Sequence, residues 1–199
     1  MISIIMASYL GAYKGAASDR ENKLRRAINS VLLQKMPEWE LIVIADGCDR
    51  TCEIVAEYPD ERVQCYKIPK QKIWSGIVRN TGVNIAKGDY IVYLDNDDVL
   101  GPSHLQMIAD GIAAHPDFDW YLFNDMIPHE TKFIERACAL QAHKCGTSNI
   151  VHKRTLAQWA PDDTYDHDWH FIQQLMKRGR YVRITGQYLV CHVPNKWDL

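Results

Sequence analysis

The sequence has no excess of charge of either sign. Its 23 Lys and Arg residues are balanced by 25 Asp and Glu residues, which leaves a net charge of -2 with histidine neutral. Proteins that bind nucleic acid usually carry a basic patch or a pI above about 9, so this balance argues against a nucleic-acid partner. Hydrophobic residues make up 47% and charged residues 24% of the 199 residues. These ordinary values exclude a disordered or fibrous chain.

Long hydrophobic runs are also missing. No stretch approaches the roughly 20 apolar residues that span a bilayer. The N-terminal segment 1–7 has no basic start, and its apolar run is too short for a secretory signal peptide. These absences predict a cytoplasmic protein without a membrane span, and they leave peripheral attachment to a membrane open.

The six cysteines form no C-x-x-C motif. Cys48 and Cys52 could share one helical turn, and His143 lies near Cys145, but the second half of a tetrahedral zinc site is missing. A chain of this length buries roughly 70% of its unfolded surface and can fold without disulfides. We therefore expect reduced thiols, with a zinc site as the alternative.

Glycine-rich phosphate loops are absent as well. Residues 11–15 do not match G-x-G-x-x-G, and no G-x-x-x-x-G-K-[ST] motif occurs. The sequence therefore argues against dinucleotide-binding and Walker-type mechanisms. A phosphate group would be bound through a metal ion instead of a glycine cradle.

Short apolar runs alternate with amphipathic segments in the first 123 residues. Buried strands are predicted at 2–7, 41–45, 63–68, 90–94 and 120–123. Helices are predicted from a capping box at Ser18 to before Pro37, at 50–57, at 75–86 and from Pro102 onward. Such alternation indicates an α/β fold with a mainly parallel sheet and right-handed crossovers.

The second half of the chain is less regular. Residues 129–146 carry charges, His and Cys without a clean period, which is typical of a flexible arm or an antiparallel excursion. A short strand at 149–151, a helix at 166–178 and two short strands near 181–184 and 187–191 follow. We interpret the chain as a single domain, 1–199, with a small antiparallel C-terminal part.

Polar clusters follow three of the predicted strands. Ser8 and Tyr9 come after the first strand, Asp46 after the second, and residues 95–98 after the fourth. Parallel α/β sheets bind ligands outside the carboxyl ends of their strands. We therefore expect all three clusters at one edge of the sheet.

The segment Leu94-Asp-Asn-Asp-Asp98 places three carboxylates in four positions. Carboxylates this close repel one another unless a cation or hydrogen-bond donors lie among them. Hard oxygen ligands with open positions suit Mg²⁺ or Mn²⁺ that also carries a substrate phosphate. The alternative is a solvated acidic turn in which Asp97 or Asp98 caps the following helix.

Ordered sequence blocks point to a known family. They are Met6-Ala-Ser-Tyr9, Ala45-Asp-Gly-Cys-Asp-Arg-Thr51, Gly76-Ile-Val-Arg-Asn80, Ala86-Lys-Gly-Asp-Tyr90 with Leu94-Asp-Asn-Asp-Asp98, Gly146-Thr-Ser-Asn149 with Lys153-Arg154, and His167-Asp-Trp-His170. Together they resemble the inverting glycosyltransferases of family 2, which have the GT-A fold, a Rossmann-like α/β fold. The resemblance covers nearly the whole chain. It implies a metal-dependent enzyme that moves a sugar from a nucleotide diphosphate, with a UDP-sugar favoured, to a hydroxyl of a saccharide or other acceptor.

The resemblance also implies roles for individual residues. The metal, Mn²⁺ or Mg²⁺, would be bound by Asp97 and His192, and Asp168 would be the general base. Residues 1–100 would form the nucleotide-sugar and metal half, and residues 101–199 the acceptor half. The nucleotide-sugar site would be formed by Ala7, Ser8, Tyr9 and Asp46 around uracil and ribose, together with Gly76, Arg79, Asp95 and Asn96.

Some positions depart from the family pattern. Ala45 replaces the first aspartate of D-D-G-S, and His167 replaces the glutamate beside the base. These departures permit a degenerate transferase that only binds a sugar nucleotide. A second alternative is a sugar-nucleotide nucleotidyltransferase, although Lys14 and Gly15 are a poor match to the glycine-rich basic loop that it requires.

Several side chains allow a structural role besides the functional one. Asp168 could cap its own helix, which would leave Asp166 as the alternative base. Arg79 could pair with Asp46 or Asp89 instead of facing the nucleotide. His192 could be an ordinary strand-end histidine, and Trp74 could be core or a wall of the pocket.

Overall fold

The predicted alternation of strands and helices is present along the chain. The computed structural model describes residues 1–13, 16, 18–72, 75–162 and 164–191. The strands are β1 (Ile2–Ser8), β2 (Trp39–Asp46), β3 (Val63–Ile68), β4 (Tyr90–Tyr93), β5 (Val99–Leu100), β6 (Trp120–Leu122), β7 (Asp125–His129), β8 (Lys132–Arg136), β9 (Ile150–Lys153), β10 (Tyr181–Arg183) and β11 (Tyr188–Leu189). The helices are α1 (Arg20–Leu32), α2 (Asp49–Val55), α3 (Gly76–Ile85), α4 (His104–Ala114) and α5 (His167–Arg178).

A seven-stranded sheet forms the centre of the fold. Its strand order is β10-β6-β9-β4-β1-β2-β3. Strand β9 pairs antiparallel with both β4 and β6, whereas the other neighbours pair in parallel. The mainly parallel sheet was predicted, and the antiparallel strand β9 lies inside it, between β4 and β6.

Helices cover both faces of the sheet, and this explains why the strands are continuously apolar. All eight residues of β2 are buried. Apolar side chains of α1, α2 and α4 pack on one face, and those of α3 and α5 pack on the other. The longest described helix, α1, has 13 residues, and none of the described helices is long and apolar enough to cross a membrane.

Residues 129–146 include part of an antiparallel hairpin, one of the two predicted possibilities. Strands β7 and β8 pair from Asp125 opposite Arg136 to His129 opposite Lys132. Arg136 Nε donates a 2.8 Å hydrogen bond to Oδ1 of the fully buried Asp125. The hairpin joins β5 and β11 in a second sheet, ordered β5-β11-β7-β8. Three of its four strands belong to the second half of the chain, and two of its three pairings are antiparallel, in line with the predicted small antiparallel C-terminal part.

Helix α1 begins later than the predicted capping box. Its N-cap is Asp19, which has left-handed backbone angles (φ 52°, ψ 39°) and no side-chain capping hydrogen bond. The guanidinium of Arg20 donates 2.6 Å hydrogen bonds to the carbonyl oxygens of Tyr9 and Leu10. The prediction of a Ser18 cap was wrong, because a contact with the loop after β1 holds this helix end.

Two cysteines are joined, contrary to the expectation of reduced thiols. Cys52 in α2 and Cys65 in β3 form a disulfide. The other four cysteines are unpaired and buried, namely Cys48, Cys138, Cys145 and Cys191. The expectation failed because α2 packs directly on β3, a proximity that a separation of 13 residues in sequence does not reveal.

Candidate active site

A cavity of about 420 Å³ opens at the carboxyl edge of the central sheet. The chain segments that follow β1, β2 and β4 all reach it, as the rule for parallel sheets predicted. Helices α3 and α5 contribute the opposite wall. The cavity brings together most of the predicted site residues, which are Ala7, Ser8, Tyr9, Asp46, Arg79, Asp95, Asn96, Asp97 and Asp168.

One end of the cavity combines a carboxylate, an ammonium group and an aromatic ring. Asp46 is buried and accepts hydrogen bonds from Lys70 Nζ and from the backbone N–H of Gln71, each 2.6 Å long. Lys70 Nζ also lies 4.5 Å from the centre of the Tyr9 ring. Gly47, with φ +66°, makes this approach possible because a Cβ there would lie 2.6 Å from Lys70 Cβ.

Hydrogen bonds connect the loops after β1 and β4 across the cavity floor. Asn96 Nδ2 donates a 3.0 Å hydrogen bond to Ser8 Oγ. The same hydroxyl lies 3.2 Å from Thr51 Oγ1, where either oxygen can donate. These contacts hold the two predicted nucleotide-binding segments in a defined relative position.

Arg79 bridges two carboxylates at the centre of the site. Its Nη2 donates a 2.8 Å hydrogen bond to Asp95 Oδ1, and its Nη1 donates a 3.0 Å hydrogen bond to Asp168 Oδ1. The Arg79 side chain is 5% exposed, and its guanidinium carbon lies 4.9 Å from the centre of the Trp159 ring. The alternative pairing with Asp46 or Asp89 does not occur in the structure, since the bridge to Asp95 and Asp168 occupies the guanidinium.

Asp168 lies in the first turn of α5, and Asp166 is the N-cap residue of that helix. Besides Arg79, His167 Nε2 lies 3.1 Å from Asp168 Oδ1. Burial opposes ionisation of this carboxyl group, but the Arg79 guanidinium and the hydrogen bond from His167 outweigh burial. They hold the pKa of Asp168 well below its usual range. Asp168 is therefore an anion at neutral pH and is not occupied in capping its own helix.

A second cavity, of about 550 Å³, lies on the other side of Asp168. Residues of the segment after β8, of the turn before β9 and of the start of α5 line it. Asp95, His167 and Asp168 line both cavities. Asp168 therefore lies in the lining that the two cavities share, a position from which one side chain could contact two bound molecules held close together.

The carboxylates of the acidic turn after β4 lie in different surroundings. Asp98 is buried and accepts a 2.7 Å hydrogen bond from the backbone N–H of Cys191. The backbone oxygen of Asp97 accepts a 3.0 Å hydrogen bond from Arg26, and Asp97 lines the first cavity. The next helix has Ser103 as its N-cap, so neither Asp97 nor Asp98 caps it.

The donor atoms at the turn fit a divalent cation that is only partly bound by protein. Within the described residues, no cluster of three or more His, Cys, Asp and Glu side chains could bind a metal alone. Mg²⁺ and similar hard cations are commonly bound through one or two carboxylates plus substrate phosphates. Asp97, on the wall of the cavity, meets this requirement. His192, the second predicted ligand, lies outside the described residues, as does Trp74.

Among the predicted site residues that the structure describes, only Gly76 does not line the cavity. It begins α3 beneath Trp159, where an added Cβ would lie 2.9 Å from Trp159 Cε3. Conversely, Lys70 and Tyr13 line the cavity although the sequence did not identify them as site residues. Lys70 follows the carboxyl end of β3, so the edge rule that selected Ser8 and Asp46 could have found it.

The sequence is similar to those of known glycosyltransferases. A family model described as glycosyl transferase family 2 matches residues 3–177. The chain is 34% identical over 108 residues to the Escherichia coli protein UDP-Glc:alpha-D-GlcNAc-diphosphoundecaprenol beta-1,3-glucosyltransferase WfgD, and the match covers 54% of this chain and 39% of that protein. The chain spans less than half the length of this and other curated relatives that it matches.

Solved structures have the same fold. The S. aureus TarS 1-349 complex with UDP-GlcNAc has a TM-score of 0.74 at 16% identity, covering 100% of this chain and 59% of that chain. The mannosyltransferase PcManGT from Pyrobaculum calidifontis in complex with GDP-Man and Mn²⁺ has a TM-score of 0.66 at 14% identity, covering 98% and 57%. The predicted GT-A fold and the predicted family are both confirmed. The chain belongs to glycosyl transferase family 2.

Proposed function

We propose that the chain is a metal-dependent, inverting glycosyltransferase. It moves a sugar from a nucleotide diphosphate, with a UDP-sugar as the favoured donor, to a hydroxyl of a saccharide or other acceptor. The observation that carries this proposal is the position of Asp168 between two cavities. The donor occupies the cavity lined mainly by residues 1–100, and the acceptor occupies the cavity lined mainly by residues 101–199.

The choice of uracil rests on the family resemblance and on the UDP-GlcNAc complex of TarS, and uracil fits the pair formed by Asp46 and Lys70. A carboxylate accepts hydrogen bonds, and an ammonium group donates them. The imide edge of uracil presents a ring N–H beside carbonyl oxygens, which complements this pair. Cytosine complements it as well, since its amino group donates and its ring nitrogen and carbonyl oxygen accept. Guanine has a ring N–H beside a carbonyl oxygen, so CDP-sugars and GDP-sugars are the competing donors.

The base preference can be measured with nucleoside diphosphates and Mn²⁺ in calorimetry. We expect UDP to bind more tightly than CDP or GDP, and Lys70→Met to weaken UDP binding by about tenfold, because a hydrogen bond to a charged group contributes roughly 1.5–3 kcal/mol. Lys67→Met is the matched control, since Lys67 pairs with Asp49 at the surface outside the cavity. Unchanged UDP affinity in Lys70→Met would contradict the proposed base contact, and tighter binding of CDP or GDP would identify a different donor nucleotide.

The proposal of a metal ion rests on the oxygen ligands at the acidic turn described above and on the Mn²⁺ in the structure of PcManGT. Asp97 would bind the ion together with oxygens of the donor diphosphate. When bound, the cation neutralises negative charge on the leaving nucleoside diphosphate. His192, the second proposed ligand, is part of the proposal on sequence resemblance alone.

The metal contribution can be tested by removing its proposed carboxylate ligand. We expect Asp97→Asn to bind UDP equally weakly in Mn²⁺ and in EDTA, whereas the wild type binds at least about tenfold more tightly with Mn²⁺. Asp89→Asn is a suitable control because Asp89 lies at the surface, where its side chain is 80% exposed. If Asp97→Asn retains the full Mn²⁺ effect in calorimetry, Asp97 is not the ligand.

The proposed reaction is a single displacement. The acceptor hydroxyl attacks the anomeric carbon from the face opposite the diphosphate, and Asp168 takes the hydroxyl proton. A glycosidic C–O bond forms while the bond between the anomeric carbon and the phosphate oxygen breaks, and the nucleoside diphosphate leaves with the electron pair. Attack from the opposite face inverts the anomeric configuration.

A further inference from the structure

The two carboxylate oxygens of Asp168 have different surroundings. Oδ1 is 3.0 Å from Arg79 Nη1 and 3.1 Å from His167 Nε2. Within the part of the chain that the structure describes, the hydrogen-bond contacts of Oδ2 are with Thr147, at 3.5 Å from its backbone nitrogen and 3.4 Å from its hydroxyl. These Oδ2 distances lie at the long limit for hydrogen bonds, whereas the Oδ1 distances are ordinary. Oδ1 is therefore held by two donors, Arg79 and His167, and Oδ2 remains able to accept a hydrogen bond.

Gly146 leaves room for a methyl group in van der Waals contact with Oδ2. A Cβ added to Gly146 would lie 3.5 Å from Asp168 Oδ2 and 3.7 Å from Ser148 Oγ. The backbone of Gly146 is extended, with φ -125° and ψ -179°, a conformation that any residue adopts. The backbone therefore does not require glycine at this position. Because Gly146 lines the second cavity, the space left by its missing side chain belongs to that cavity.

We propose that Oδ2 of Asp168 accepts the proton of the acceptor hydroxyl, and that Gly146 is the specificity-determining residue that admits a carbon-bearing hydroxyl to it. This inference rests on the proposed function. His167 and Arg79 are positioning residues, since they hold Oδ1 and thereby direct Oδ2 toward the second cavity. Proton transfer leaves Asp168 neutral, and the proton then passes to water when the product leaves.

His167 performs this role in a way that the glutamate of the family pattern cannot. A carboxylate oxygen can only accept a hydrogen bond, so the hydrogen atom of the contact with Asp168 Oδ1 lies on His167 Nε2. An ionised glutamate at the same position would repel Asp168. His167 lines both cavities together with Asp168, so the positioning contact lies directly beside the reacting groups.

A larger side chain at position 146 is expected to change how the donor sugar is divided between water and a polyol acceptor. Water is small enough to reach Oδ2 past a methyl group, but a sugar or polyol hydroxyl brings its carbon skeleton with it. The assay uses UDP-glucose, UDP-galactose and UDP-GlcNAc as donors with Mn²⁺ in water that contains molar glycerol. Chromatography then separates glycosyl-glycerol from free sugar.

We expect Gly146→Ala to lower the ratio of glycosyl-glycerol to free sugar at least tenfold, and Gly146→Val to lower it further. Circular dichroism checks that both variants are folded. An unchanged ratio in folded Gly146→Ala, or the absence of glycosyl-glycerol from the wild-type reaction, would overturn the inference. If the wild type hydrolyses none of the donors, the proposed function itself is overturned, and these outcomes are therefore distinguishable.

The positioning role of His167 has a separate kinetic test. We expect His167→Leu to lower kcat for donor hydrolysis about tenfold with little change in KM for the donor, and His167→Gln to restore most of kcat because its amide N–H can donate to Oδ1. His170→Gln is the matched control on the same helix, since His170 contacts Asp162 Oδ2 and lines neither cavity. Equal kcat values for His167→Leu and the wild type would overturn the positioning role.

Discussion

Replacing Asp168 by Asn is expected to eliminate measurable sugar transfer while UDP still binds. A positioned general base contributes roughly 10²–10⁴-fold to a rate, which corresponds to about 2.7–5.5 kcal/mol of barrier. Asparagine has nearly the shape of aspartate but cannot accept the hydroxyl proton. Nucleotide binding should persist because the uracil and diphosphate contacts proposed above involve other residues.

The measurement combines calorimetry with UDP and a turnover assay with UDP-sugars. Asp166→Asn is the informative control, because Asp166 is the alternative base and lies 3.5 Å from His143 at the surface. Transfer that survives in Asp168→Asn and disappears in Asp166→Asn would reverse the assignment. Nuclear magnetic resonance of the wild-type product checks the stereochemistry, and retention of the anomeric configuration would contradict the single displacement.

Replacing Arg79 by Met is expected to lower the free energy of unfolding by about 3 kcal/mol. Removing one partner of a buried ionic network leaves uncompensated charge and typically costs 3–5 kcal/mol. The lower end applies because the side chains of Asp95 and Asp168 are 46% and 31% exposed, so water can hydrate them after the change. Two carboxylates would then face each other without the cation between them.

Urea denaturation measures this loss, and Arg25→Met provides the comparison. Arg25 pairs with Glu57 at the surface, where ion pairs contribute roughly 0–1 kcal/mol. Arg79→Met should also move the acidic limb of the rate profile to higher pH, since the Arg79 guanidinium lowers the pKa of Asp168. If the Arg79→Met protein has wild-type stability, hydration of Asp95 and Asp168 by water replaces their contacts with Arg79, and the predicted destabilisation is wrong.

The sequence predicted the fold and one edge of the site because local patterns determine both. Apolar runs such as 41–45 require a sheet covered on both faces, and the polar residues after such runs must meet where the parallel strands end. Ser8, Asp46 and Asp95 line the same cavity for this reason. Antiparallel β9 was not foreseen, because a strand of four residues carries no signal of its direction.

Contacts between distant segments could not be predicted from a single sequence. The partners of Arg79 lie 16 and 89 residues away, and Asp46 and Asp89 were equally plausible by charge alone. The disulfide between Cys52 and Cys65 has the same origin, since it depends on how α2 packs against β3. Asp168 could be selected as a candidate site residue from the sequence, because its place in a recognisable block is a local property.

The Arg79 bridge has a thermodynamic consequence for the proposed reaction. One guanidinium is shared by Asp95, which lines the proposed donor cavity, and by Asp168, so a donor that drew Arg79 toward itself would weaken its attraction for Asp168. The proton affinity of Asp168 would then rise. Linkage is reciprocal, so protonation of Asp168 would strengthen donor binding by the same factor. In the proposed enzyme, Asp168 would become a stronger proton acceptor when a donor binds.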